Sequence, residues 1–284
     1  MDSQNNEKKI NFNSQFDLMV GKGVIIPLND GRILYNSKFH DVMERFDRII
    51  IGWAVEDGAS LMFYPDYLSI DDLNKCNYIQ QFHHQCFFAA TSKTDEYKEE
   101  SLYGSGFINA PAVCMHSYIQ HQNTYVDEKK PIVITAKGKC KRNETEGYNT
   151  LERLLDFTMR EIIFIGNEKY VLAKRKEYMD RAKLLMDEMQ LESSIDISND
   201  PFFKKEDEEK AAFQRKFKLK YELNIKNLDN GGKIAVGSFN YHGTNFSKAY
   251  NIKLQDNKLA HTVCIAFGLE RFAYAHITQS GLES

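Results

Sequence analysis

The sequence predicts an α+β fold, an antiparallel sheet flanked by helices, and three observations carry that reading. Residues 132–136 are a short β-branched run, residues 145–150 are rich in turn formers, and residues 156–165 return as a second apolar strand closed by Gly166 and Asn167. Together they spell a long antiparallel hairpin. Residues 217–223 alternate apolar and polar, and the turn Asp229-Asn230-Gly231-Gly232 leads into a further strand at 233–241. Two long segments, one starting at Ser37 and one covering 167–191, repeat apolar residues at steps of three and four, as an amphipathic helix does.

Taken in order, residues 1–15 are rich in Asn, Lys and Glu and are expected to be flexible. Residues 16–284 are expected to form a single domain with a helical insertion at about 167–217. Residues 21–28 are a short Gly-flanked apolar segment, and Asp30-Gly31 is a turn before 32–35. The helix from Ser37 places Phe39, Val42, Met43, Phe46, Ile49, Ile50 and Trp53 on one stripe, which is core. Residues 61–65 form an apolar strand ending in proline. Ser69 caps the next helix, with Asp71 and Asp72 in its first turn. His83 and His84 are adjacent, and consecutive residues of a strand face opposite sides, so they make a poor metal pair. The helix over 167–191 carries Val171, Tyr178, Ala182, Leu185, Met186 and Met189 on its apolar stripe, and Lys174-Arg175-Lys176 as a solvated basic cluster. Residues 193–200 read as a loop, 204–220 as a charged helix followed by a strand, and 246–254 as another strand.

A chain of 284 residues suffices for one large domain or two small ones. The net charge of -3 argues against a dedicated nucleic-acid surface, which usually shows a basic excess. No apolar run is long enough to span a membrane, and the polar N-terminus has no apolar signal core. Five scattered cysteines without a CxxC pair suit a reducing cytoplasm better than a disulfide framework.

The hairpin holds Arg142, Glu144, Arg153, Phe157, Arg160 and Glu161 at its base and loop. Arginine offers bidentate geometry to phosphate oxygens and the ring offers a stacking face, so the set suits a polyphosphate carrying a base. The plainer alternative is a solvated, charge-laced hairpin. A second stretch answers it. Residues 263–267 form a short apolar strand that runs into Gly268, then Glu270, Arg271 and an apolar helix. Gly268 permits close backbone approach, and Arg271 sits at a helix start, where an anion is favoured.

Lys141-Arg142-Asn143-Glu144, followed by residues 156–166, resembles motif 2 of class II aminoacyl-tRNA synthetases, and Phe267-Gly268-Leu269-Glu270-Arg271 resembles their motif 3. With Cys264 just before motif 3 and Ser238-Phe239-Asn240-Tyr241-His242-Gly243 upstream, the wording is similar to one branch. That branch holds the atypical archaeal-type seryl-tRNA synthetases and, closer still, the amino acid:[carrier protein] ligases. The resemblance runs from about Leu61 to the end, and more faintly from Phe16. It implies a class II catalytic core and a homodimer whose interface includes the motif 1 proline at residue 65. It also implies a zinc site at Cys114, Glu161 and Cys264. Two thiolates and a carboxylate with a fourth position open would hold substrate through its amino group. Without the resemblance, Cys114 and Cys264 would read as small buried apolar residues. His116, His242 and His261 stay as alternative ligands.

The resemblance implies carboxylate activation: amino acid and ATP give aminoacyl-adenylate and pyrophosphate, by positioning and charge neutralisation. Arg142 would hold the α-phosphate, Glu144 would contact adenine, and Phe157 and Arg271 would cover its two faces. Mg²⁺ would bridge phosphates. Arg160, Ser238 and Asn240 would bind the amino acid. Lys141 departs from the apolar residue that often precedes the motif 2 arginine, which puts local packing in doubt. The acceptor is expected to be the phosphopantetheine thiol of a carrier protein, loaded with glycine, alanine or another small amino acid. Seryl-tRNA synthetases need a large N-terminal tRNA-binding domain, and only about sixty residues, without a basic coiled-coil pattern, precede motif 1 here. A catalytically silent synthetase-like subunit, or an enzyme acting on tRNA with a separate arm, are the alternatives.

Overall fold

The computed structural model describes residues 14–95, 97–143, 151–199, 212 and 214–282. Helix α1 (Gln15–Gly21) and the small hairpin β1 (Ile25–Pro27) and β2 (Ile33–Tyr35) lead into α2 (Ser37–Glu56). Next come β3 (Ser60–Met62), β4 (Tyr67–Ser69), α3 (Ile70–Lys75), α4 (Tyr78–Phe82), β5 (Phe88–Ser92) and β6 (Leu102–Asn109). Helix α5 (Cys114–Gln120) and β7 (Tyr125–Val126) precede the long hairpin of β8 (Ile132–Lys141) and β9 (Asp156–Gly166). Helix α6 (Glu168–Glu188), β10 (Ser193–Ser198), β11 (Lys220–Lys226) and β12 (Lys233–Gly243) follow. The described chain closes with α7 (Asn245–Tyr250), β13 (Lys253–Leu254), β14 (His261–Gly268) and α8 (Leu269–Ser280).

The central sheet has the order β10-β11-β12-β14-β9-β8-β3. Its neighbours are antiparallel except β3, which runs parallel to β8. One face packs on α2, α6 and α8. The stripe expected on α2 is the buried one, with Phe39, Val42, Met43, Phe46 and Ile50 inside, and Asn36 caps the helix by accepting the Lys38 amide at 2.9 Å. Each fully buried Phe on this face contributes about 1.5–3 kcal/mol of transfer free energy. Asn167 caps α6 through the Tyr170 amide at 2.9 Å. The opposite face of the sheet is covered by α5, α7 and the three-stranded sheet β4-β6-β5, and it holds a cavity.

Several local expectations are corrected. Residues 193–198 form β10 rather than a loop, because Ile195 packs on the core while the intervening polar residues pair with β11. Residues 246–254 are not one strand: Phe246 and Tyr250, four apart, lie on one side of α7, which ends at Asn251 in the left-handed region (φ 53°) before the short β13. Cys114 opens helix α5. His83 and His84 lie in a 3₁₀ turn, His83–Gln85. The segment 167–217 holds the edge strand β10 as well as α6. Most of the charged stretch 204–220, the loop 145–150 and the N-terminal residues 1–13 lie outside the described residues.

Candidate functional site

The alternation of β9 decides what reaches the cavity. Successive strand residues point to opposite faces, so Phe157, Met159 and Glu161 line the pocket while Thr158 and Arg160 turn away. In register with them, Glu161 faces Ala266 of β14, which faces Ser238 of β12, and Cys264 pairs with Asn240. These residues, with Cys114, Arg142 and Arg271, surround one cavity of about 760 Å³. The chain thus brings together most of what the sequence named: Cys114, Arg142, Phe157, Glu161, Ser238, Asn240, Cys264 and Arg271.

At one end Cys114, Glu161 and Cys264 converge, with their ligand atoms all within 4.8 Å of one another and all three residues buried. Pro111 interrupts the backbone before α5, and the helix then presents the amides of Val113 and Cys114 to Glu161 at 3.0 and 2.9 Å. Those amides have no intrahelical partner, and the carboxylate satisfies them. The Cys264 thiol donates to the same carboxylate at 2.9 Å. A hydrogen bond with Cys264 favours the Cys114 thiolate, but burial and the Glu161 charge outweigh it and push this thiol up to about 11. Burial, then the bond to Cys114, raises Cys264 well above an ordinary thiol. Soft thiols and a hard carboxylate, mutually close and with the carboxylate aimed by backbone amides, fit a zinc ion. A bound divalent charge is what would deprotonate such thiols. His116 stacks on Tyr64 and His261 on Tyr241, and neither histidine lines the cavity. His242 does line it, with its Nδ1 3.3 Å from Tyr118 Oη and from Thr262 Oγ1.

At the other end Arg142 donates from Nε to the Pro111 carbonyl at 2.9 Å, and its guanidinium lies 5.3 Å from the Phe157 ring centroid. Arg271 projects from the first turn of α8 and donates to the Ala235 carbonyl at 3.4 Å. Asn240 donates to the Ser238 hydroxyl at 2.9 Å, a small polar pair beside the metal-type cluster. Two cations and a ring on the same cavity as a thiol–carboxylate cluster make it suited to a polyphosphate nucleotide beside a small amine-bearing molecule.

Arg160, expected to bind substrate, is corrected. It is 3% exposed on the far face of the sheet, where it holds Asp47 of α2 in a bidentate pair at 2.6 and 3.0 Å. Since Glu161 faces the cavity, its strand neighbour cannot. Arg153 is not among the residues that line the cavity, and Glu144 lies outside the described residues. Sequence reasoning also passed over Glu270. It lies within the motif 3 stretch, is 1% exposed, and accepts from both the amide and the hydroxyl of Thr158 at 2.7 Å. Tyr118, fully buried and 3.3 Å from His242 Nδ1, was likewise missed.

No family model matches the chain. It is 28% identical over 269 residues to "Amino acid--[acyl-carrier-protein] ligase 1" of Bradyrhizobium diazoefficiens, covering 90% of this chain and 82% of that protein. Among solved structures, M. kandleri SerRS in complex with A. aeolicus tRNASec aligns with a TM-score of 0.82 at 20% identity, over 97% of this chain and 59% of that one. Seryl-tRNA synthetase from Pyrococcus horikoshii complexed with ATP aligns at 0.71 with 14% identity, over 93% of this chain and 57% of that one. The fold is therefore the class II synthetase catalytic core, the seven-stranded sheet with its flanking helices. The chain spans less than two thirds of these solved synthetases, and the motif resemblance to carrier-protein ligases is met by a named relative of that kind.

Proposed function

From a class II core whose cavity joins Arg142, Phe157 and Arg271 to Cys114, Glu161 and Cys264, we propose that this chain is an amino acid:[carrier protein] ligase. It activates a small amino acid such as glycine or alanine with ATP and passes it to a phosphopantetheine thiol. The observation that carries this reading is that one cavity is lined by both the cations and ring and the thiol–carboxylate cluster. The named ligase relative and the ATP-bound seryl-tRNA synthetase support it.

In the first step a carboxylate oxygen of the amino acid attacks the α-phosphorus of ATP, and pyrophosphate leaves. Arg142 holds the α-phosphate against the carboxylate, and Phe157 and Arg271 cover the two faces of adenine, which Glu144 would also contact. Mg²⁺, when bound with the nucleotide, would offset phosphate charge. Ser238 and Asn240 hydrogen-bond the amino acid. Cys114, Glu161 and Cys264 would hold Zn²⁺, which when bound supplies an open coordination position for a neutral amino group and so rejects acids lacking one. In the second step the acceptor sulfur attacks the activated carbonyl carbon, the thiol gives up its proton, and AMP leaves with the phosphate oxygen. The chain works in the reducing cytoplasm, with residues 16–284 as one domain. The homodimer forms at the β3 edge beside Pro65, and the segment 167–217 receives the carrier.

Amino-acid-dependent ATP–pyrophosphate exchange over a panel of amino acids, with and without a zinc chelator, tests the first step. Exchange with one small amino acid, abolished by chelation, is expected. No exchange with any amino acid on zinc-loaded protein would favour a silent homologue. The tRNA-bound structural neighbour keeps a second acceptor in view, so labelled amino acid is offered to a carrier protein and to tRNA in parallel. Label on tRNA alone would move the function to that acceptor.

A further inference from the structure

The inference rests on the nucleotide reading above and deepens it. We infer that Glu270 is a positioning residue that sets the gap between Phe157 and Arg271, and so the slot for the base. Strands β14 and β9 are paired from His261↔Gly166 as far as Gly268↔Met159. There β14 turns into α8 and the backbone ladder between them ends. One residue further along β9, the Thr158 amide is received by a side chain instead: Glu270 Oε2 accepts it at 2.7 Å, and Oε1 accepts the Thr158 hydroxyl at 2.7 Å. The carboxylate thus continues the ladder past the point where the strand has become a helix. Thr158 is the neighbour of Phe157, and Glu270 is the neighbour of Arg271. The clamp therefore ties the two residues that flank the base at a distance of one residue on each side.

The third strand joins the same knot. Lys139 of β8 pairs with Thr158 in register, and its ammonium reaches Asp156 at 2.8 Å and Glu270 at 3.4 Å. Burial opposes its charge, but Glu270 and Asp156 hold its pKa above the usual lysine value. Glu270 is also in the first turn of α8, where a carboxylate is favoured. Both oxygens are engaged, Oε1 also receiving the Tyr35 hydroxyl at 3.5 Å, and the residue is 1% exposed. The thiol–carboxylate cluster and the Ser238–Asn240 pair are held by bonds of their own, to the Val113 and Cys114 amides and within the pair, so the clamp is expected to act chiefly on the nucleotide.

The test is steady-state pyrophosphate exchange with ATP and amino acid varied separately, alongside calorimetric ATP binding and urea stability on the same proteins. Glu270→Ala is expected to raise KM for ATP by about a hundredfold and Thr158→Val by about tenfold, since each leaves a buried charged hydrogen bond unmade. KM for the amino acid should stay within about twofold. Glu270→Gln, which keeps the length and one acceptor, should recover most of the ATP affinity. Should Glu270→Ala fail to fold, Thr158→Val carries the test. Equal changes in both KM values, or unchanged ATP affinity in Thr158→Val, would overturn the positioning role while leaving the nucleotide reading standing. Failure of the unsubstituted chain to bind ATP at all would overturn both.

Discussion

Replacing Arg160 with leucine removes the partner of a buried carboxylate. Asp47 is 2% exposed and Arg160 3% exposed, and the pair is bidentate at 2.6 and 3.0 Å. Breaking a buried pair from one side costs about 3–5 kcal/mol, because the remaining charge has neither partner nor water. Here Lys137 Nζ stays 3.0 Å from Asp47, which places the loss at the lower end, about 3 kcal/mol. That is a large fraction of the ~5–15 kcal/mol that domains usually have. Trp53 is the one tryptophan of the chain. It lies on the same helix as Asp47 and meets Tyr178 and Phe267 edge-on, so its fluorescence during urea unfolding reads the change directly. The double variant Arg160→Leu/Asp47→Leu should recover at least half of the loss, since an apolar pair needs no solvation. A loss below about 1 kcal/mol, or a raised KM for the amino acid at unchanged stability, would refute the reasoning and return Arg160 to substrate binding.

Four further outcomes follow from the same contacts. Cys264→Ser and Glu161→Gln should each weaken zinc binding by about 10–100-fold, measured by competition with a chromophoric chelator, and unchanged affinity would remove the cluster as a metal site. Phe157→Ala should raise KM for ATP in pyrophosphate exchange by about tenfold, on the order of one stacking contact; unchanged kinetics would leave the ring without a nucleotide role. Burial opposes ionisation of Asp47, yet Arg160 and Lys137 hold its carboxyl below the usual value. A depressed folded-state pKa means stability that is fully present above the unfolded value of about 3.9 and lost as pH falls below it. Acid titration followed by Trp53 fluorescence should therefore show a shallower loss in Asp47→Asn, and identical slopes would contradict this. Gly237→Ala would set a Cβ 2.9 Å from Cδ1 of Phe267 and should cost about 1–3 kcal/mol in urea; a neutral result would show that the ring shifts freely.

Much of this architecture could be read ahead of the coordinates where one period ran long enough. The α2 stripe and the β8–β9 hairpin are long, regular patterns and stand where expected. Short elements gave way. Ser193–Ser198 does alternate, but two isoleucines among polar residues resemble a loop until β11 pairs with them. Phe246 to Leu254 is apolar enough for a strand, yet stacking of Phe246 on Tyr118 at a centroid distance of 4.2 Å holds its first part helical. In the site, motif resemblance located residues but not directions. Once Glu161 faces the cavity, strand alternation alone sends Arg160 to the opposite side. Glu270 and Thr158 are 112 residues apart, and no local pattern links them.

The adjacency of Arg160 and Glu161 makes parity a constraint on β9. One residue serves the ion pair beneath the sheet and the next serves the cavity above it, so inserting or deleting a single residue in the strand would exchange their places. A guanidinium would then enter a pocket built of thiols, and a carboxylate would be pressed against Asp47, like charge on like charge. A two-residue change preserves the facing but shifts both partners by a full pleat. Natural or engineered length variation in this hairpin is therefore expected between Lys141 and Asp156, outside the two strands, and a library of single-residue insertions selected for folding should show that boundary.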